Sequence, residues 1–202
     1  MNTLNLYDQA IEDKFKEVFE NSIYADPVKA FKESAKANNN EVKLPLLSVY
    51  RSGLEPDFAR HANLGNRGRL LQKTVDKETG LIIKALPSKI SYTLDIWTQS
   101  RSDLNHLLEE LLFYLLEFPA LYIEFEIEDQ EEGLQIESHI ELESVTDQTD
   151  LSQSEEEGLL YRTTIEFHLG ESNLYNFKEA PLPTKIPVTY YVNNKKDGEF
   201  NG

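Results

Sequence analysis

Four histidines, His61, His106, His139 and His168, are the side chains in this 202-residue chain best suited to proton transfer or metal binding near neutral pH. Their spacing serves neither. No HExxH puts two of them on one helix face, no i, i+4 pair occurs, and there is no cysteine to complete a thiolate site. His139 and His168 fall in strand patterns, where surface or strand-packing roles are expected. Carboxylates offer a second chemistry: Glu124 and Glu126 share one face of an alternating segment, and Asp95 lies on a candidate neighbouring strand. Such a set suits a two-metal nuclease. That enzyme also needs a basic groove and a nearby lysine, and the acidic stretch has no lysine. There is no DxDxDG calcium loop, no GxSxG elbow and no GxxxxGK[ST] loop. Gly65-Asn66-Arg67-Gly68 is too short and too poor in glycine to cradle a phosphate. Trp97, Tyr114, Tyr122 and Tyr161 lie in periodic segments. Their acidic flank disfavours stacking on nucleic-acid bases and favours core packing or a subunit contact. No catalytic residue, no metal ligand and no cofactor is expected.

Charge narrows the class further. Lys and Arg number 20 against 36 Asp and Glu, a formal charge of −16. A sequence-unspecific DNA clamp needs surplus cations to displace counterions, so that class is excluded. The charge is also segregated. Residues 124–157 hold 14 acids and no Lys or Arg. Residues 43–89 hold nine cations (Lys43, Arg51, Arg60, Arg67, Arg69, Lys73, Lys77, Lys84, Lys89) and four acids, a net of +5. A solvated strand face accepts Lys as readily as Glu, and mixed signs reduce self-repulsion. A one-sign stretch therefore points to a field with a use: repelling polyanions, binding divalent cations, or meeting a basic partner. The absence of cysteine fits assembly in a reducing cytoplasm. Residues 1–17 lack the cationic and apolar regions of a signal peptide, and the apolar run at 107–121 is broken by Glu109, Glu110 and Glu117, so no membrane span is expected.

The elements that would position these residues follow from periodicity. Leu4, Tyr7, Ile11, Phe15, Val18 and Phe19 sit at helical spacing, and Asp26-Pro27 starts a second helix that Asn38-Asn39-Asn40 stops. Residues 43–51 (KLPLLSVYR) read as a strand, 52–68 as an ordered loop, and 70–86 as a hairpin turning at 76–80. Ile90, Tyr92, Leu94 and Ile96 alternate with polar residues, predicting a half-buried strand. A Ser100 or Ser102 cap, the leucine-rich face from Leu104 to Leu115, and Phe118-Pro119 define a long helix. Strand alternation resumes at 121–127, 134–142, 161–167 and 186–192, with a turn at 130–133 and a polar loop at 144–158. The expected fold class is α+β: a mainly antiparallel sheet flanked by helices, with a strand–long helix–meander core. The expected divisions are an N-terminal helical region (1–40), an α+β domain (41–192) and a flexible tail (193–202).

Two segments carry a family likeness. LPLLSVYR at 44–51 and LPSKISYTLDIWTQSRSDLNHLLEELLFYL at 86–115 resemble the tail terminator (tail completion) proteins of tailed bacteriophages. The matching positions are Tyr92, Leu94, Ile96, Trp97, Thr98, Asp103 and Asn105. The resemblance covers about 43–127 and is one of structural pattern. It implies a non-enzymatic virion protein that closes into a hexameric ring on the head-proximal end of the tail tube. Such a ring ends tube and sheath growth and docks the head connector while DNA passes through it. The partners implied are other copies of the chain, the tube protein, the sheath protein in a contractile tail, and neck proteins. Under this reading Arg51, Arg60, Arg67, Arg69 and Trp97 are expected at subunit or tube contacts. Glu131, Glu132, Glu155, Glu156 and Glu157 would line a lumen or partner surface. Two other readings stay open: another neck or head-completion adaptor, and an acidic DNA mimic that blocks a DNA-binding enzyme.

Overall fold

The computed structural model describes residues 3–59, 69–76, 79–125, 134–148 and 160–181, with backbone alone at 69–76, 79–84, 125, 134 and 176–181. The fold is α+β, as expected: a mostly antiparallel, curled sheet with three helices among the described residues. In chain order these are α1 (Thr3–Val18), β1 (Ser22–Tyr24), α2 (Pro27–Ala37), β2 (Leu46–Pro56), β3 (Arg69–Asp76), β4 (Thr79–Thr98), α3 (Arg101–Glu117), β5 (Ala120–Phe125), β6 (Leu134–Asp147), β7 (Tyr161–Gly170) and β8 (Asn173–Pro181).

Helix boundaries follow their caps. The Asp26 carboxylate accepts the Lys29 N–H at 3.1 Å, and Pro27 stands where a missing N–H costs nothing. The asparagine run ends α2 because Asn39 (φ 56°) and Asn40 (φ 71°) take the left-handed conformation that asparagine tolerates. Ser100 caps α3 by accepting the Asp103 N–H at 3.1 Å. Asp26→Ala is expected to cost about 1 kcal/mol. Thermal unfolding should show it as a fall of about 2–4 °C at this chain length.

The sheet order is β1-β2-β4-β7-β6-β5, and β3 and β8 pair with β4 away from that path. β4 explains the division. Residues 88–98 pair with β2 or β7, whereas 79–87 pair with β3 and β8. The expected hairpin arm and the expected alternating strand are thus one strand of 20 residues. The hand-over lies at Pro87-Ser88. There the Pro87 carbonyl accepts the Asp57 N–H at 2.9 Å, and the Ser88 N–H donates to Ser172 O at 3.0 Å. Opposite it, Glu171 (φ 58°) breaks β7 from β8. The result is a six-stranded body and a three-stranded arm.

One face of the body carries the core. Leu47 and Val49 of β2, Ile90 to Ile96 of β4, Ile165 to Leu169 of β7, and Leu121 and Ile123 of β5 cluster with Tyr7, Ile11 and Phe15 of α1. Leu104, Leu111 and Leu115 of α3 join the same cluster. α2 takes the opposite face, where Phe31 meets Trp97 edge-on at 5.0 Å.

Several boundaries differ from expectation. β2 runs on to Pro56 through the segment expected as loop, held by pairing to β4 from Gly53↔Ser91 to Pro56↔Ser88. β6 runs on to Asp147, paired with Thr163, so the expected loop starts later. β1, which pairs parallel to β2, and β8 were not expected. The strand expected at 186–192, the turn at 130–133, most of the polar loop and the tail from 193 lie outside the described residues. No helix among the described residues is long and apolar enough to cross a membrane.

Candidate interaction surfaces

The sheet face away from α1 and α3 is polar, and its strand register assembles charges that are remote in sequence. Asp95 on β4 is fully buried, and its Oδ1 accepts from Arg162 Nε (3.1 Å), Arg162 Nη2 (2.9 Å) and Thr164 Oγ1 (2.5 Å) on β7. Arg162 also lies 5.4 Å from the Trp97 ring centre. Farther along, His168 of β7 stands between two glutamates of β6, Glu141 (Nε2 to Oε2, 3.2 Å) and Glu143 (Nδ1 to Oε1, 2.8 Å). The second is a close approach in which Nδ1 makes no aligned hydrogen bond among the described residues. Lys89 of β4 pairs with Glu143. That hydrogen bond holds the Glu143 carboxyl below its ordinary range and raises the Lys89 ammonium.

Cations missing from the acidic stretch therefore arrive from elsewhere: Lys89 to Glu143, and Arg101 to Asp147 at 2.9 Å. The segregation seen in sequence is partly neutralised within the chain.

Of the expected contact residues, Arg51 and Trp97 have described side chains, and both make contacts within the chain. Arg51 is half-buried and pairs with Asp8 of α1 at 3.2 Å. The same carboxylate accepts the Tyr92 hydroxyl at 3.0 Å. Burial, then Asp8, pushes the Tyr92 phenol above its ordinary value, so it remains a donor. Trp97 is 6 % exposed, covered by the chain's own Phe31 and Arg162. Arg69 is placed by backbone only, opposite Ile83 in the arm. Arg60, Arg67 and all five glutamates of the expected acidic surface lie outside the described residues.

A second surface was not expected. α1, the C-terminal end of α3 and β5 enclose an open groove of 910 Å³. β5 is the last strand of the sheet order and pairs only with β6 among the described strands. The Pro119 carbonyl accepts the Ile140 N–H, so the period of two turns the main-chain groups of 120, 122 and 124 toward the open side. Lys14 confirms this direction by donating to Ala120 O at 3.0 Å. Its Nζ lies 5.1 Å from the Tyr114 ring centre, and burial lowers its pKa. Asp13, Glu17, Glu117 and Glu124 line the groove. Phe118 (54 % exposed) and Tyr122 (57 %) offer apolar surface in it. The sequence signal was present for part of this surface: Phe118 stands at the helix stop, and Tyr122 and Glu124 point to the face opposite the buried Leu121 and Ile123.

An open sheet edge beside an acidic groove is a feature of an assembly component that works through contacts. The profile of the T4-like virus Myoviridae tail sheath stabiliser family matches residues 16–198, and the chain belongs to that family. It is a structural protein of a bacteriophage tail, and hence a virion component. The tail-terminator likeness therefore reached the right assembly but a related family within it. No curated protein sequence matches the chain.

Proposed function

We propose that copies of this chain close into a hexameric ring on the head-proximal end of the tail. There the ring meets the last sheath and tube subunits, ends their growth, and presents the surface that docks the head connector, with DNA passing through. The observation that carries this reading is the segregation of unlike charge onto different strands of the chain. Residues 60–84, which include the arm strand β3 and most of the arm half of β4, hold six cations against two acids. β5 and β6, at the far end of the sheet, belong to the stretch with 14 acids and no Lys or Arg. A head-to-tail ring needs unlike patches on each protomer, and these supply them. Arg60, Arg67 and Arg69 are the cations we assign to the neighbouring subunit or tube. Glu131, Glu132, Glu155, Glu156 and Glu157 are assigned to a wall that keeps DNA from adhering.

Native mass spectrometry across a concentration series tests the ring. The expected species lies near 140 kDa, six times the chain mass of 23.3 kDa. A monomer both alone and on purified tail tips would sink the reading. Replacing the five glutamates by glutamine is expected to slow DNA ejection. An unchanged ejection rate removes the acidic-wall role and leaves the ring.

A further inference from the structure

The groove between α1 and β5 has the two properties of a strand acceptor. Its edge presents the outward N–H and C=O groups of Tyr122 and Glu124, and its walls place Phe118 and the Tyr122 ring where alternate side chains of an added strand would lie. Its charge selects the donor: Asp13, Glu17, Glu117 and Glu124 outnumber the single ammonium of Lys14, which is engaged by Ala120 O and the Tyr114 ring.

We propose that this groove receives residues 185–196 of a second copy of the chain as an added β-strand. That segment (KIPVTYYVNNKK) lies outside the described residues and follows the end of β8 in the chain. From Pro181 to Lys196 it contains Lys185, Lys195 and Lys196 and no acid. Ile186, Val188, Tyr190 and Val192 alternate, the pattern of a strand with one apolar face. Pro187 is out of phase with that set, so its missing N–H falls on the side away from the acceptor when 186, 188 and 190 pair, as an edge strand allows.

The donor is another copy because of reach. β8 leaves the body beside α1, where the Asn173 N–H donates to Tyr7 Oη at 3.1 Å. From Asn173 it follows β4 to Pro181, opposite Thr79 at the tip of the arm. Those eight steps cover about 26 Å. The five Cα steps from Pro181 to residue 186 span at most about 18 Å, less than the length that β8 runs out along the arm. The basic arm of one protomer would instead deliver the segment to the acidic end of the next. This inference rests on the ring reading and gives it a specific contact.

The cysteine-free sequence makes the test clean. A Tyr122→Cys chain is co-expressed with a full-length chain carrying Val188→Cys, Thr189→Cys or Tyr190→Cys in turn, and oxidative cross-linking is read beside native mass. The expected result is a disulfide joining the two different chains at one of the three positions. In addition, Glu17→Lys/Glu117→Lys/Glu124→Lys is expected to weaken assembly roughly tenfold through three partly screened pairs, with recovery on adding Lys185→Glu/Lys195→Glu/Lys196→Glu. A full ring with no cross-link at any position overturns the strand exchange and leaves the ring standing. A cross-link only within a monomer that carries both cysteines overturns the exchange and shows the tail on its own groove. A chain that is monomeric and unlinked under every condition overturns both.

Discussion

Arg162→Ala is expected to lower the melting temperature by about 6–12 °C, more than any single replacement on the exposed parts of the sheet. The cause is the partner left behind. Asp95 is fully buried, Arg162 supplies two of the three hydrogen bonds to its Oδ1, and its Oδ2 has no hydrogen-bond partner among the described residues. Removing the guanidinium leaves a buried carboxylate answered by Thr164 alone. Breaking a buried pair in this way costs about 3–5 kcal/mol. We take the lower end because the Arg162 side chain is 32 % exposed, so water softens the loss. At about 2–4 °C per kcal/mol for a chain of this size, that is the stated shift. Asp95→Asn is expected to cost less, about 1 kcal/mol, because it removes the buried charge itself and leaves an arginine that can turn to water. Thermal unfolding of both variants by circular dichroism checks the order. An equal or larger loss in Asp95→Asn would show that the charge, not its pairing, stabilises the sheet.

The same pair shows what the sequence did and did not make legible. Asp95 was visible as the polar partner in Ile90-x-Tyr92-x-Leu94-x-Ile96, which predicts a solvent-facing side chain on a half-buried strand. It is buried where the β7 register sets Arg162 and Thr164 against it, and register is a tertiary property that joins residues 67 positions apart. Local signals fared better. The helix caps at Asp26 and Ser100 and the asparagine stop at 38–40 act through bonds spanning a few residues, and all stand where they were expected. Strand ends were harder. The Ser52–Pro56 end of β2 has no apolar alternation to betray it and is held by main-chain pairing alone. β8 was missed for the related reason that Asn173–Pro181 reads as polar, yet β4 supplies a continuous partner. The candidate surfaces were legible as charge totals but not as places. Arg51 and Lys89 count toward the basic stretch in sequence, and folding sets them against Asp8 and Glu143. The open edge of β5 could not be seen before the strand order was known.

Phe167→Ala is expected to have the larger effect on stability, about 3–5 kcal/mol, and to act on the groove as well as on the core. Phe167 is completely buried in β7, opposite Tyr92 of β4 and Leu142 of β6. Its ring stacks on Tyr92 at 5.6 Å and 13° and meets Phe15 of α1 at 5.8 Å. It is therefore a joint between the sheet and the helix that forms one wall of the groove. Truncation leaves a cavity that neighbouring strands, fixed by their ladders, cannot close. Two attachments of α1 weaken together: the Phe15 contact directly, and the Tyr92–Asp8 hydrogen bond through loss of the ring that holds Tyr92 in place. Phe167→Leu retains most of the volume and is expected to cost about 1–2 kcal/mol, since partial filling relieves part of the cavity. Native-state hydrogen exchange separates a local effect from a global one. In Phe167→Ala, amides of α1 should lose more protection than those of α2, which packs on the opposite face against Trp97. Equal losses in both helices would mean that the sheet loosens as a whole and that Phe167 has no special hold on α1. Greater loss in α1 would tie the shape of the acceptor groove to a single aromatic stack more than 40 residues downstream of the edge strand it serves.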